Sequence, residues 1–299
     1  SSSRETPERS RMFQTLFPGE RELGGAIQLS SEMGFFKYVN VKGGWFAGNG
    51  IAVETDNNKD FIGKVSFKLP VDEANGFMID GGVSTYYGKV TRDYETKPST
   101  SSLSTGSIGG TPVIVPKTGT TTRNYTYEMD ANKSFAKTDS SWYPLVKRQY
   151  FGGDIQMYIP YLSSVSFLGP TKIMAEYITG MQPGTKTGNT FYQVGNGDLY
   201  LRNFSGYYVT LVQNVTKHFQ LMVKYDRWDP NTNVSGNDAK TEGDIAYNTL
   251  GYGLIYNFDH NIKFVLYREM VSNETSTAVK GYANDLKDNV FTLRMQYKF

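Results

Sequence analysis

Apolar and polar residues alternate with a period of two along much of the chain. The C-terminal residues Phe291, Leu293, Met295, Tyr297 and Phe299 are apolar or aromatic, and the residues between them are polar. A period of two places successive side chains on opposite faces of an extended strand. The chain is therefore predicted to be all-β, with strands that have one apolar face and one polar face.

The same alternation recurs through the rest of the chain. It indicates about eleven strands, near residues 22–31, 35–48, 59–70, 76–93, 148–160, 166–180, 196–213, 217–228, 246–258, 260–272 and 287–299.

The connections between these strands alternate strictly between short and long. Short turns are predicted at Ser31–Gly34, Val71–Gly76, Tyr161–Ser164, Val215–Thr216 and Asp259. Long polar loops are predicted at Gly50–Asn58, Tyr94–Lys147, Gln182–Gly195, Asp229–Ile245 and Ser272–Leu286. Transmembrane barrels have tight periplasmic turns and long outer loops. The sorting of loops by length therefore favours a transmembrane antiparallel β-barrel over a soluble sandwich.

Two segments differ from the regular pattern. Residues 94–147, the largest loop, are rich in Ser and Thr, and we expect a disordered or hairpin surface loop there; a lid or a partner contact is the alternative. Residues 1–22 precede the first strand, which must run inward from the outer surface. We expect 1–22 to be an outer or lumen-folded loop and 23–299 to be the barrel strands with their loops. Because closed barrels have an even number of strands, we also expect an odd number of strands, and a signal peptide, upstream.

Composition narrows the class of protein. Of the 299 residues, 14% are aromatic, mean hydropathy is −0.45 and there is no Cys. No window supplies the ~18 apolar residues of a membrane-spanning helix. A net charge of +2 gives no basic stripe for nucleic acid. His218 and His260 are the only histidines and have no paired ligand in the sequence, so we expect neither a metal nor another cofactor.

Several motifs resemble the phosphate-selective porins O and P. They are ERS at Glu8–Ser10, LFPGERELGG at Leu16–Gly25, GWFAGNG at Gly44–Gly50, GPTKIMAEYI at Gly169–Ile178, YDRWDPNT at Tyr225–Thr232, VSG at Val234–Gly236, LGYGLIYNF at Leu250–Phe258, NE at Asn273–Glu274 and DNVFTLRMQYKF at Asp288–Phe299. The resemblance covers most of the chain outside 94–147.

The resemblance implies a sixteen-stranded outer-membrane barrel, generally trimeric, of which about eleven strands are present here. Residues 1–22 would then match the latter part of the loop that folds into the barrel. The expected partners are the lipid bilayer, lipopolysaccharide, small anions such as phosphate, and further copies of the chain or a larger outer-membrane complex.

The chemistry of a porin is the charge and width of its lumen. Arginine binds phosphate through a planar fork of donors. The candidate constriction residues are Arg4, Arg9, Arg11 and Arg21. Four glutamates lie among them, at positions 5, 8, 20 and 22, so a locally neutral, salt-bridged loop is the alternative.

Strand parity supplies further charges on the polar face. The cations are Lys42, Lys64, Lys68, Lys172, Lys224, Lys263 and Arg294, with Lys298 at the rim. The anions on the same face are Asp80, Asp154, Glu176, Asp226, Glu269 and Asp288. The sequence therefore predicts a lumen of mixed sign, weakly biased towards anions.

Three functions compete. The first is a porin for passive diffusion of small hydrophilic solutes, weakly anion- or phosphate-selective, in the bacterial outer membrane and without enzymatic activity. The second is a barrel subunit or client within a larger outer-membrane assembly complex. The third is a soluble all-β binding protein or carbohydrate-active enzyme, which would need a carboxylate pair that no motif supplies.

Overall fold

The structure is a computed structural model, described here for residues 7–19, 21–50, 58–91, 103–108, 111–116, 126–139, 145–160, 169–188, 198–259 and 261–297. Within these ranges the chain forms one short α-helix, α1 (Arg11–Leu16), and fifteen strands. The strands are β1 (Gly24–Ser30), β2 (Val39–Phe46), β3 (Asp60–Asp72), β4 (Phe77–Thr91), β5 (Leu103–Ile108), β6 (Thr111–Pro116), β7 (Thr126–Met129), β8 (Phe135–Asp139), β9 (Leu145–Ile159), β10 (Thr171–Gly184), β11 (Leu199–Asn214), β12 (Phe219–Asp229), β13 (Tyr247–Asn257), β14 (Ile262–Asn273) and β15 (Val290–Tyr297). Short 3-10 helices occupy Gly34–Tyr38, Gly236–Asp238 and Glu242–Asp244.

Eleven of these strands pair antiparallel in chain order within one thirteen-stranded sheet, and β5–β8 are inserted between β4 and β9. The order is β1-β2-β3-β4-β9-β10-β11-β12-β13-β14-β15. Strands β5 and β6 pair only with each other, and β7 joins the large sheet through a parallel pairing with β11. In the part of the chain that is described, β1 and β15 each pair with a single neighbour. The all-β antiparallel fold is confirmed, and the eleven strands of this path correspond to the eleven that the alternation indicates, while the described residues contain four further short strands, β5–β8.

The observed strands lie within a few residues of the predicted ones, with three differences. The chain forms a 3-10 turn at Gly34–Tyr38, so β2 begins later than predicted. Strand β10 covers Thr171–Gly184 and so extends beyond the predicted end at residue 180, while the predicted residues 166–168 lie outside the described residues. Part of 94–147 forms two hairpins, β5–β6 and β7–β8, and β9 begins within it at Leu145. The remaining residues of 94–147 lie outside the described residues.

The sheet has one strongly apolar face, which we call the outer face. Its large apolar side chains are exposed rather than packed in a core: Ile27 is 69% exposed, Val83 62% and Leu293 73%. The same holds along the sheet for Leu29, Trp45, Phe151, Ile155, Val209, Leu221, Val223, Leu250, Leu266, Phe291 and Met295. Folded soluble monomers seldom expose a contiguous apolar patch beyond a few hundred Å². This band continues across all eleven strands.

The opposite face, the inner face, covers residues 7–17, which we call the anchored segment. This segment meets the rings of Tyr86 in β4 at one side of the sheet and Arg294 in β15 at the other. The segment therefore lies across the inner face from β4 to β15, over eight neighbouring strands.

The connections between strands are sorted by length, with the short ones at one end of the sheet and the long ones at the other. The short connections 31–38, 73–76, 160–170, 215–218 and 258–261 share one end, and 47–59, 92–144, 185–198, 230–246 and 274–289 share the other. Every connection at the first end is shorter than every connection at the second, as the sequence predicts, and the predicted turn Tyr161–Ser164 itself lies outside the described residues. None of the described helices is long and apolar enough to cross a membrane.

Candidate functional site on the inner face

Charged side chains form a row across the middle of the inner face. The strand register places Asp154, Glu176, Tyr208 and Asp226 side by side on β9, β10, β11 and β12. The Tyr208 hydroxyl donates to Glu176 Oε2 at 3.3 Å, and Lys64 Nζ lies 2.5 Å from Asp154 Oδ1. The inner face thus presents both signs of charge at one level, as strand parity predicts.

The anchored segment begins its helix at a side-chain cap. The Ser10 hydroxyl accepts from the Phe13 amide at 3.5 Å, and the helix ends at Leu16, with Phe17 as its C-cap just before Pro18. Met12 and Leu16 are four residues apart, so they share one face of the helix. Both are fully buried against Tyr86, Tyr150, Ile178, Phe204 and Trp228 of the inner face. Apolar contacts therefore hold one side of the segment on the sheet.

Two charged residues of β12 hold the other side of the segment through its backbone. Lys224 Nζ donates to the carbonyl oxygens of Glu8 (3.4 Å) and Arg9 (3.3 Å), and it lies 3.4 Å from Glu269 Oε1. Asp226 Oδ2 accepts from the Arg11 amide at 2.7 Å. At the edge of the sheet, Arg294 donates to the carbonyl of Pro7 at 3.4 Å.

The four candidate constriction arginines do not form one cluster among the described residues. The Arg11 guanidinium lies 4.1 Å above the Tyr247 ring and 3.9 Å from Asp288. Arg9 donates to the carbonyl of Phe17 at 3.5 Å. Arg21 is exposed and adjoins β1, whereas Arg4 lies outside the described residues. A cavity of about 180 Å³ opens beside Arg11, lined also by Thr15, Trp228, Glu242, Tyr247 and Tyr282.

The cations expected from strand parity differ widely in exposure. Lys42, Lys64 and Lys68 are exposed, Lys172, Lys263 and Arg294 are half-buried, and Lys224 is buried beneath the segment. The register aligns Lys42 with Lys64 and Lys68 with Asp80 on neighbouring strands. Lys298 lies outside the described residues.

A buried ionic group near the long-loop end was not anticipated. Arg148 and Asp60 form an ion pair in which each side chain is no more than 2% exposed. Arg148 also donates to the Tyr86 hydroxyl (2.5 Å) and to the Gly48 carbonyl (2.8 Å). Nearby, burial raises the pKa of Glu22, which accepts from the Gly50 amide at 3.4 Å. Each residue is common, and the pairing joins positions far apart in sequence, so no local pattern signals it.

Part of the inner face is apolar, which alternation alone does not predict. Val212, Met222, Ile255, Val265 and Tyr267 form a buried cluster towards the short-turn end. They occupy the parity at which neighbouring strands have Lys, Asp and Gln. The only sequence signal was the presence of Met222, Ile255 and Val265 on the polar side of their strands. Each of the five side chains is no more than 4% exposed.

At the other end, long connections pack together into what we call the loop cap, residues 126–139, 185–188, 230–246 and 274–286. Ala239, Ile245 and Val279 form a small buried core between two of them. Arg202 at the top of β11 lies 2.7 Å from Asp244 Oδ1, and both side chains are fully buried. Asp244 also accepts from Asn231 at 2.8 Å and from the Thr241 hydroxyl at 2.9 Å. Burial opposes ionisation of Asp244, but Arg202 and these donors outweigh it and lower the pKa of the carboxyl.

Within the described ranges, no group of three or more His, Asp or Glu side chains has the geometry to hold a metal ion.

Comparisons of the sequence and the fold with known proteins give one weak structural similarity. No family model matches the sequence, and no curated protein matches it. A solved structure described as "NanC porin structure in rhombohedral crystal form" is similar over 94% of this chain and 95% of its own, with 9% identity and a TM-score of 0.37. A likeness this low carries no argument about function, and the resemblance to the phosphate-selective porins remains a prediction.

Proposed function

We propose that the protein is an outer-membrane porin through which small hydrophilic solutes diffuse. One observation carries this proposal. Across eleven neighbouring strands of the sheet, the large apolar side chains of the outer face stay exposed, while the inner face has charged side chains of both signs. Hydrocarbon on one side and water on the other account for that arrangement. In a soluble sheet the apolar face would be buried in a core and the charged face would be exposed to water.

The loops agree with this role. Tight turns at one end and long, packed loops at the other match a periplasmic and an extracellular side. The cavity beside Arg11 lies between the anchored segment and the loop cap, where an entering solute would first meet the segment. Passage by diffusion needs no catalytic group or cofactor, and we expect none.

The finer proposal is a weak preference for anions. It is supported by Arg9 and Arg11, which lie on a segment held against the inner face. The acidic row of Asp154, Glu176 and Asp226 acts in the opposite direction, so we expect a modest ratio rather than strict phosphate selectivity.

Planar-bilayer recording tests the function. Purified protein should produce discrete open steps and a reversal potential, in a potassium chloride gradient, of the sign set by chloride. Adding phosphate should then reduce the chloride current if phosphate and chloride pass through the same lumen. Protein that inserts and remains silent would contradict the porin proposal, and protein that stays in solution without detergent would contradict the membrane assignment.

One observation favours the alternative role within a larger assembly. In the described pairings, β1 and β15 each have one free edge, and β1 is exposed along all seven residues. Backbone groups at a strand edge need hydrogen-bond partners within a membrane. Further strands of the same protein can supply them, and so can another chain. Copurification of a stoichiometric second protein after mild detergent extraction would favour the assembly role, and a homo-oligomer would favour the porin.

A further inference from the structure

Lys224 is unusual among the inner-face lysines because its ammonium group is enclosed. Its side chain is 3% exposed, and its three protons face three oxygen atoms, the carbonyls of Glu8 and Arg9 and the carboxylate of Glu269. An ammonium group has three donors and no acceptor. The Lys224 group is therefore fully satisfied only while the anchored segment lies on the sheet.

Asp226 makes the complementary contact two residues along the same strand. Its Oδ2 atom accepts from the Arg11 amide at 2.7 Å, and the residue is 2% exposed. Arg11 is the first residue of α1, so its amide has no partner within the helix. The carboxylate satisfies this amide and fixes the point at which the helix begins.

Together the two side chains recognise the backbone of the segment rather than its side chains. They share the inner face because they are two residues apart on a strand, whereas Val223 and Tyr225 lie on the outer face. The burial of Met12 and Leu16 holds the helix on the wall, but apolar contact is not directional. The hydrogen bonds of Lys224 and Asp226 decide which residue of the segment lies at which level.

We propose that Lys224 and Asp226 are positioning residues, which fix the anchored segment across the lumen and thereby set the width and steadiness of the passage. This inference rests on the proposed porin function. Lys224 contributes to selectivity through the placement of Arg9 and Arg11, and its own charge is neutralised by Glu269 and turned away from the solute. Loss of either contact frees the segment to move without unfolding the sheet.

The test compares Lys224→Met and Asp226→Asn with wild type and with the control Lys42→Met. Lys42 is an exposed lysine of the same face, and no contact of the described residues joins it to the segment. Trypsin cleavage after Arg9 and Arg11 reports release of the segment, and we expect it to accelerate about tenfold in both anchor variants. Heat-modifiable migration on a denaturing gel verifies that each barrel is folded.

Single-channel recording supplies the second readout. We expect conductance to rise by a factor on the order of two in Lys224→Met and Asp226→Asn, with flicker that wild type lacks, because the constriction widens and fluctuates. Lys224→Arg keeps the charge and the donors and should restore quiet openings. Lys42→Met should change neither cleavage nor noise.

The two proposals fail in different ways. If folded Lys224→Met and Asp226→Asn are cleaved at the wild-type rate, the positioning role is wrong, whether or not the protein conducts. If cleavage accelerates but conductance and noise stay at wild-type values, the residues anchor the segment without setting the passage, which also overturns the inference. A wild-type protein that never conducts removes the porin function, and the trypsin result still decides the anchoring.

Discussion

Glycines decide what can lie on the inner face. A Cβ atom on Gly206 would lie 2.9 Å from Met12 Sδ and 2.9 Å from the indole of Trp228. A Cβ atom on Gly251 would lie 1.8 Å from the Tyr267 hydroxyl. The missing side chain at Gly206 leaves room for the helix of the anchored segment, and the one at Gly251 leaves room for a ring that crosses the strand. A residue without a side chain therefore controls the fit of its neighbours.

Gly206→Val should displace the helix of the anchored segment. Valine branches at Cβ, so its methyl groups would occupy the position of Met12 and the helix would have to move away from the wall. We expect trypsin cleavage after Arg11 to accelerate and the channel to become noisier, while the folded barrel remains resistant on the gel. Val209→Ala, on the outer face of the same strand, serves as the control. Wild-type cleavage and noise in Gly206→Val would contradict the described packing.

Arg9→Ala with Arg11→Ala tests the anion preference. Removing two cations from the segment should shift the reversal potential away from the chloride side and towards the potassium side, because the acidic row then dominates the lumen. The anchoring bonds use backbone atoms of Glu8, Arg9 and Arg11, so the segment should stay in place. An unchanged selectivity would exclude these two residues from the mechanism.

For individual residues, sequence reasoning could place side chains on a face but could not find their partners. Strand parity put Lys224 and Asp226 on the polar face, as the register shows. Their partners are backbone atoms more than 200 residues away. The sequence cannot identify a backbone partner, because residue identity specifies side chains and not the backbone. The pair of Arg148 and Asp60 was missed for the same reason, since 88 residues separate its members.

Among the elements, the loop cap depends on one buried ion pair. Arg202 leaves the top of β11 and meets Asp244 in the 3-10 helix Glu242–Asp244, which is closed by a capping box with Thr241. Removing one partner of a buried pair leaves the other charge uncompensated, at a cost of about 3–5 kcal/mol. The exposed pair of Lys133 and Asp238 lies in the same cap and should contribute little to stability, because water screens it.

Asp244→Asn should loosen the loop cap while the strands stay intact. Lys240 lies within the loop, so trypsin cleavage after Lys240 reports its opening. We expect rapid cleavage in Asp244→Asn and wild-type resistance in Asp238→Asn, the matched exposed control. Equal resistance of the two variants would show that the buried pair does not hold the cap.

Acid should have the same effect on the wild-type cap. The folded pKa of Asp244 is lower than its ordinary value of 3.8, so its contribution to stability is complete above that value and is lost as the pH falls through the folded pKa. Hydrogen exchange in residues 230–246 should therefore be slow at pH 5 and should accelerate, beyond the intrinsic pH effect, well below pH 4. Asp244→Asn should show no such step, and a wild-type step near neutral pH would point to a different group.

Elements built from alternation were predictable, and the helix was not. Each of the eleven strands has an apolar row facing outward, and that row is visible as a period of two. Helix α1 has six residues, too few to be stable alone, and it exists because Met12 and Leu16 find a surface made by distant strands. The apolar cluster around Met222 was equally hidden, because a packed inner face and a lipid-contacting face use the same residue types.

For the whole molecule, the two faces of the sheet should respond oppositely to charge. Val83 and Ser84 are consecutive in β4, with Val83 62% exposed on the outer face and Ser84 on the inner face. A lysine at the middle of the lipid-facing surface costs about 2–4 kcal/mol, whereas one in the lumen costs little. Val83→Lys should therefore lower the free energy of unfolding from lipid vesicles, measured by urea titration, and Ser84→Lys should not. Equal losses in both variants would contradict the assignment of the faces.

The unequal ends of the sheet give the molecule a polarity that a recording should reveal. Only the end with tight turns can cross a lipid bilayer during insertion. The other end has long folded loops that are joined by ion pairs. Protein added to one chamber should therefore insert in one orientation, with the short turns crossing the membrane first and the long loops remaining on the side of addition. The current–voltage curve should then rectify, with the same sign in every insertion, and exchange of the chambers should invert it.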